Sequence, residues 1–281
     1  MLSPFHLSLH EFKENFEIFH RMYITNDLRE DAFGAQYQSI LWTILFAECN
    51  NLEFLYSDIV RMLGDYGSPD EKIDTSVKYL NVRESEKEFV KKATEYMNLK
   101  GNYRNVDSVG KAIIMAPKWP YFYGEIENNM ERFHDSPSFK KIQSLFFAKK
   151  QTPFDSSHIH VAVHVRRKAQ FDSRNEGNST PHAYFIHCME SIVVHLKHQE
   201  RPILFHIYSQ AGEDEFQEYK RFSIQLHLQD DVFETFTGMA FADYLIMAES
   251  SLSYTAGLLS KGRILYKPFW HPPRKDWILI Q

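Results

Sequence analysis

The chain has 281 residues, 43% hydrophobic and 25% charged, the composition of a globular protein long enough to bury one large core or two ordinary ones, which sets disorder and fibrous architecture aside. A formal net charge of -5 and a pI near 6.3 make a polyanion a poor principal partner, so nucleic acid is not expected, whereas local cationic groups can still hold single phosphates. Cys49 and Cys188 are the only two cysteines, so neither a disulfide framework nor a cysteine-rich zinc site is expected and a reducing compartment fits.

The opening stretch MLSPFHLSLHEFKENF lacks the basic start and continuous apolar core of a signal peptide, and no later segment has the apolar length of a membrane span; a soluble, cytoplasmic protein is expected. Phe33-Gly34-Ala35-Gln36 reads as a turn ahead of the apolar run QYQSILWTILFAECN, which is long enough for a buried helix, and the strand-like LEFLYSD follows. Residues 84–97 read as an exposed amphipathic helix and residues 125–150 as one or two charged helices outside a sheet. Between them, Trp119, Tyr121, Phe122 and Tyr123 form an aromatic stretch better explained by packing than by stacking on sugar rings. The run from Lys149 to Pro153 interrupts the periodicity, as a linker does, and divides the chain into residues 1–152 and 153–281.

From residue 158 the pattern becomes strand, turn, helix, repeated. HIHVAVHV is a buried strand, and Thr180 as cap with Pro181 at the first helical position opens a helix through Lys197. Asn178-Ser179-Thr180 also matches a glycosylation sequon, but nothing else suggests secretion. The strand ILFHIY ends at Ser209; a short acidic helix over 213–220, the strand IQLHL, a helix over 233–239 and the strand YLIMA follow. Ser250 and Ser251 then open a helix over 252–260, Gly262 stops it, and residues 263–266 form the last core strand. Such alternation predicts an α/β fold with a parallel, doubly wound sheet.

The chemistry-bearing residues gather at strand ends. Arg166 and Arg167 close the strand HIHVAVHV, and ligands of α/β sheets bind beyond the carboxyl ends of the strands, where a guanidinium grips phosphate. The plainer reading makes one arginine a structural ion pair and leaves the other solvated. Ser250, Ser251 and Ser253 follow another strand and open a helix whose free amides suit a diphosphate, although serine there is also an ordinary cap. Ser209 stands at a third strand end. With 11 glycines and neither GxGxxG nor GxxxxGK[ST], a dinucleotide dehydrogenase and a P-loop phosphotransferase both lose their signature. Alternation puts His158, His160 and His164 on one sheet face, a pattern of packed histidine more often than of a metal site.

Three blocks, His164-Val165-Arg166-Arg167, MAFADYLIMAESSLSYTAGLL (239–259) and Phe33-Gly34-Ala35-Gln36-Tyr37, together resemble the fucosyltransferase-like branch of the GT-B glycosyltransferases. The resemblance implies two Rossmann-type parallel-sheet domains facing a central cleft, the amino-terminal one carrying most of the acceptor site and the carboxyl-terminal one holding a nucleotide sugar. It implies that Arg166 or Arg167 contacts the donor's β-phosphate, Ser250, Ser251 and Ser253 its phosphates, and Asp243 or His164 its base or ribose, with Gly34 and Gln36 at the cleft. Lys168 and Ala169 stand where the family pattern HxRRGD has Gly and Asp, so the donor is left open between GDP-fucose and UDP-xylose. In lacking an anchor the chain is more similar to soluble bacterial or large-virus members, among them a chlorovirus capsid-glycan xylosyltransferase, than to Golgi members; for a viral protein the host cytoplasm is implied.

The implied reaction is an inverting displacement in which an acceptor hydroxyl of a glycan attacks the anomeric carbon, with the nucleotide sugar as co-substrate and neither metal nor other cofactor required. Asp31, Asp70 and Glu125 adjoin expected loops of the first half and are the candidate bases. Two rival classes are a non-catalytic nucleotide- or glycan-binding module and a structural protein whose arginines and serines only pair and cap.

Overall fold

The computed structural model describes residues 21–25, 31–49, 53–55, 107–109, 112–115, 124, 126–148, 150–167 and 180–280. The helix expected over 84–97, the aromatic stretch at 119–123, Asp70, Glu125 and the Lys168-Ala169 pair lie outside the described residues. The first half holds β1 (Arg21–Thr25), α1 (Phe33–Cys49), β2 (Glu53–Leu55), β3 (Asp107–Val109), β4 (Ala112–Met115), α2 (Met130–His134) and α3 (Pro137–Ala148). The second half holds β5 (Ile159–His164), α4 (His182–His195), β6 (Ile203–Ser209), a 3-10 segment (Glu213–Arg221), β7 (Ile224–Leu228), α5 (Val232–Phe241), β8 (Tyr244–Ile246), α6 (Ser251–Leu259), β9 (Arg263–Tyr266) and β10 (Ile278–Leu279).

The larger sheet runs β10-β9-β8-β5-β6-β7 with every pair parallel. The chain starts at central β5, moves outward through β6 and β7, then returns to β5's other side for β8, β9 and β10. This is the doubly wound order, and its switch point lies between β5 and β8. All six residues of β5 are buried, as expected for a strand covered on both faces. On one face, Val161, Val163, Phe205 and Ile207 pack with α4 through Phe185, Met189 and Ile192. On the other, Ala162, Tyr208 and Leu245 meet α5, α6 and α1.

The smaller sheet, β2-β1-β4-β3, is mixed: β1 is parallel to β2 and β4, while β3 and β4 are antiparallel. This departs from the expectation of two all-parallel sheets. β3 ends at Val109 and β4 starts at Ala112, and so short a connection cannot make the crossover that parallel neighbours need.

α1 has no continuous polar face because it is buried along nearly its whole surface, Gln38, Ser39 and Thr43 included. Phe33 packs edge-on against Phe233 and Phe236 of α5 at 5.0 and 5.6 Å, and Tyr37 meets Phe236 at 5.3 Å. Its inner face lies against α6. A Cβ on Gly34 would stand 2.4 Å from the Leu252 Cα, so only glycine permits the approach, and the Thr255 hydroxyl donates to the Gly34 carbonyl across it at 3.1 Å. The turn expected at residues 33–36 is thus the first turn of the helix itself. Asp31 lies just ahead of it, its carboxylate accepting the Ala32 amide hydrogen at 2.8 Å.

Other boundaries shift for local reasons. Pro181, at φ -62° and ψ 147°, is still extended, so α4 begins at His182 and Thr180 sits too early to cap it. The acidic segment is a 3-10 helix kinked at Phe216, and α5 begins at Val232 because Asp231 caps it by accepting the Phe233 amide hydrogen. Ser250 caps α6 as expected, accepting from the Leu252 amide at 3.2 Å. Among the described residues no helix is long and apolar enough to cross a membrane.

Candidate functional site

Because its strands are all parallel, the larger sheet presents every carboxyl end at one edge. β5 delivers His164, Arg166 and Arg167 there, β6 delivers Ser209, β8 leads through Glu249 to Ser250 and α6, and β9 leads to Lys267. The switch point between β5 and β8 therefore lies between the strand end that leads to the arginine pair and the start of α6, whose first amides carry the positive end of the helix dipole. α1 brings Gly34 to the same helix start, where a Gly34 Cβ would lie 2.9 Å from the Ser251 carbonyl carbon. Gly34, Ser250, Ser251 and Ser253 thus meet in one place.

Within this edge the groups divide by their commitments. Ser253, fully buried, donates to the carbonyls of Ala248 and Ser250 at 3.3 Å each, and Ser250 serves the cap; both hydroxyls hold the turn in shape. Ser251, at the first position of α6, is only partly buried. Ser209 donates to the Val165 carbonyl at 2.7 Å and accepts from the Ala211 amide at 3.1 Å, so it ties the end of β6 to the segment carrying the arginines.

The arginines are unequal. Arg167 donates from Nε to Glu215 at 2.7 Å, from one terminal nitrogen to the Arg166 carbonyl at 3.1 Å, and contacts His182 with the other. His182 continues to the Tyr219 hydroxyl at 2.8 Å. Arg167, by its hydrogen bond first and its charge second, holds the Glu215 carboxyl below the usual range, and burial followed by the same guanidinium lowers the His182 imidazole. This is the plainer of the two sequence readings, realised at Arg167. Arg166 is partly buried beside His164. Burial, reinforced by Arg166, depresses His164 to a pKa of about 3, so the imidazole is neutral, and among the described residues its Nδ1 has no hydrogen-bond partner.

Other candidates lie elsewhere. Asp243 precedes β8 and accepts the backbone N–H of His160 at 2.9 Å, which puts it at the amino-terminal edge, across the sheet from Ser209 and Ser250. Gln36 donates its amide back to the Asp31 carbonyl within its own helix start. His164 stands at the far end of β5 from His160; the histidines that do gather are His158 and His160, joined by Asp155 at that same amino-terminal edge.

Sequence reasoning missed a buried pair joining the two halves. His271, in the loop after β9, meets Glu127 through Nδ1 at 2.6 Å and Gln38 of α1 at 3.3 Å, and Tyr254 of α6 stacks on its ring at 4.8 Å. It also missed the Glu249–Lys267 ion pair that closes the ends of β8 and β9. His271-Pro272-Pro273 was the available signal for the first; Glu127, in an ordinary acidic helical stretch, offered none.

No family model and no curated protein matches the chain. Among solved structures it is similar to the fucosyltransferase NodZ from Bradyrhizobium, at 13% identity and a TM-score of 0.42 over 90% of this chain and 97% of that one. It is also similar to the E. coli heptosyltransferase WaaC with ADP-2-deoxy-2-fluoro heptose, at 10% identity and a TM-score of 0.45 over 93% of each chain. A third likeness is to a variant of Arabidopsis thaliana FUT1 in complex with GDP, at 12% identity and a TM-score of 0.39 over 95% of this chain and 76% of that one.

Proposed function

We propose that the chain is a glycosyltransferase that moves xylose or fucose from UDP-xylose or GDP-fucose to a glycan acceptor by inverting displacement. The observation carrying this reading is that, at the switch point of a doubly wound sheet, the strand that ends toward Arg166 neighbours the strand that leads into α6, and that the start of α1 packs on the start of α6. The resemblance of those same three segments to the fucosyltransferase-like pattern supports it.

In this reading the donor diphosphate lies over the first amides of α6 beside Ser251, with Arg166 on the β-phosphate. The acceptor hydroxyl attacks the anomeric carbon, the bond from that carbon to the phosphate oxygen breaks, and its electron pair leaves with the nucleoside diphosphate. The charge developing on phosphate is met by groups already in place, without a metal; removing one such group commonly lowers the rate about a hundredfold or more. Arg167, itself held by Glu215 and His182, acts as a positioning residue by fixing the Arg166 backbone through its carbonyl. Asp31, ahead of α1, is the described candidate for receiving the acceptor proton, and Asp70 and Glu125 are the others.

The test is release of UDP or GDP from UDP-xylose and GDP-fucose by the purified chain, with and without oligosaccharide acceptors. Release from one donor, abolished by Arg166→Ala, supports a transferase. Saturable binding without turnover on any acceptor supports a nucleotide-binding module instead, a reading that Lys168 and Ala169 in place of Gly and Asp favour.

A further inference from the structure

A row of imidazoles crosses one face of the large sheet, from His160 near the amino-terminal end of β5 through His206 in the middle of β6 to His227 near the carboxyl end of β7. His160 Nδ1 lies 2.9 Å from His206 Nε2, His206 Nδ1 lies 3.0 Å from His227 Nε2, and His227 Nδ1 lies 3.0 Å from Asp230 Oδ2. At the other end His160 Nε2 faces the Asp155 carbonyl at 3.1 Å and its carboxylate at 3.6 Å. Phe154 stacks on the His160 ring at 4.5 Å and 13° and covers His206 at 4.6 Å.

Counting hydrogens along this row gives a definite result. A neutral imidazole carries one N–H, so three rings supply three hydrogens to four junctions. Asp230 is a carboxylate and accepts only, which directs all three hydrogens toward it: His160 to His206, His206 to His227, His227 to Asp230. The His160 Nε2 lone pair then points at two oxygens of Asp155. Reversing the row moves the same conflict to His227 and Asp230. One further positive charge, a proton or a metal ion, at either end resolves it.

The Asp155 end is built to receive that charge. His158 Nδ1 lies 3.3 Å from Asp155 Oδ1, His160 Nε2 lies 3.6 Å from it, and all three atoms fall within 4.8 Å of one another. Tetrahedral zinc with bonds of about 2.0–2.1 Å separates adjacent ligand atoms by roughly 3.3 Å, so the two contacts to Asp155 need only small adjustment, while the His158 and His160 nitrogens close by up to about 1.5 Å as the solvent-open His158 turns inward and water completes the tetrahedron. The donor set, two imidazoles and one carboxylate, suits a divalent ion of the zinc class. His160 is buried and fixed by its bond to His206, the arrangement by which an outer partner orients a metal-bound histidine, while Asp155 and His158 are open to solvent and allow entry. The Ser157 hydroxyl, 2.6 Å from Asp155 Oδ1, stands at the rim, and the Asp243 carboxylate on the His160 amide adds negative charge at the same edge. One cation, Arg201, is tied to the His158 carbonyl at 3.2 Å.

We propose that Asp155, His158 and His160 form a structural site for a zinc-like divalent ion, which pins the segment between α3 and β5 to the start of β5. The ion takes no part in sugar transfer. Its site stands on the sheet edge away from Arg166 and Ser251.

The test titrates zinc chloride into the metal-free full-length chain by calorimetry, alongside Asp155→Asn and His158→Gln. Both changes are at solvent-open positions, and Asn keeps an acceptor for the Ser157 amide. Circular dichroism checks that each variant is folded, and Co2+ reports ligand geometry by its visible absorption. One ion per chain is expected, with a raised melting temperature, affinity at least tenfold weaker in either variant, and a tetrahedral Co2+ spectrum that both variants lose. Absence of binding, or zinc binding and a Co2+ spectrum indifferent to both substitutions, as adventitious capture by others of the 14 histidines would give, overturns the proposal. Nucleotide binding by the same samples distinguishes this outcome from failure of the transferase reading, since the variants leave the donor edge untouched.

Discussion

Replacing Gly34 by alanine tests a close backbone approach between the two halves. The added Cβ would lie 2.4 Å from Leu252 Cα, 2.5 Å from Leu252 N and 2.9 Å from Ser251 C. Ordinary contact begins near 3.4 Å, so the start of α6 must withdraw by about 1 Å, the difference between 3.4 and 2.4. Every clashing atom is backbone, so no side-chain rotation relieves it. Overpacking of this kind costs up to about 3 kcal/mol, against which alanine's better helix propensity returns at most about 1 kcal/mol. A net loss near 2 kcal/mol corresponds to a melting temperature lower by roughly 4–8 °C. The functional effect should be larger than the stability effect, because the helix start that moves is the proposed phosphate cradle, and a misplacement of about 1 Å can lower a rate about a hundredfold. Differential scanning calorimetry and a nucleotide-release assay on Gly34→Ala measure both, and Gly124→Ala, whose Cβ meets nothing within 4 Å, is the control. If Gly34→Ala melts with the wild type and keeps full activity, the two helices do not approach as described and the reasoning fails.

Acid should destabilise the chain early. Burial holds His134, wedged between Trp42 and Phe139, and His164 at pKa values of about 3, against an ordinary 6.5. Both stay neutral in the folded chain while the unfolded chain takes up protons below about pH 6.5, so stability is complete above that pH and falls toward pH 3; by pH 5 the two together remove about 4 kcal/mol, a large part of a typical 5–15. Melting scans from pH 7 to 5 should show the fall, and His134→Phe should flatten it; a melting temperature constant over that range contradicts it. His271→Ala leaves the Glu127 carboxylate buried without its partner and should lower stability by about 3 kcal/mol, whereas Glu127→Gln should cost less; equal, negligible effects in denaturant titrations would show the pair to be dispensable.

The second half was legible because its local signals agree with its packing. HIHVAVHV is apolar enough to be covered on both faces, and Ser250 both ends a strand connection and caps a helix, so periodicity and capping point to the same element. The serine cluster and the arginine pair could be placed at one sheet edge for that reason. What could not be read is how hydrogen-bonding capacity is spent. Arg167 and Arg166 are neighbours of the same type, and only the fold brings Glu215, 48 residues away, to one of them. Asp243 is tied to the donor by the resemblance alone; it precedes β8, as the expected strand over 244–248 already has it, and so faces the opposite edge. Gly34 read as a turn because lone glycines usually are; its need arises from α6, more than 200 positions later. The histidine row depends on the register of three parallel strands, which alternation along one strand cannot supply.

The most direct test of the central claim is thermal stabilisation of the full chain by GDP and UDP, repeated with Arg166→Ala. A nucleoside diphosphate at about a hundred times its dissociation constant adds roughly 2.7 kcal/mol to the folded state, which should raise the melting temperature by roughly 5–10 °C. A rise with one of the two nucleotides that disappears in a folded Arg166→Ala variant is the predicted result; no rise with either, or a rise undiminished in the variant, contradicts the placement of a donor diphosphate between Arg166 and the start of α6.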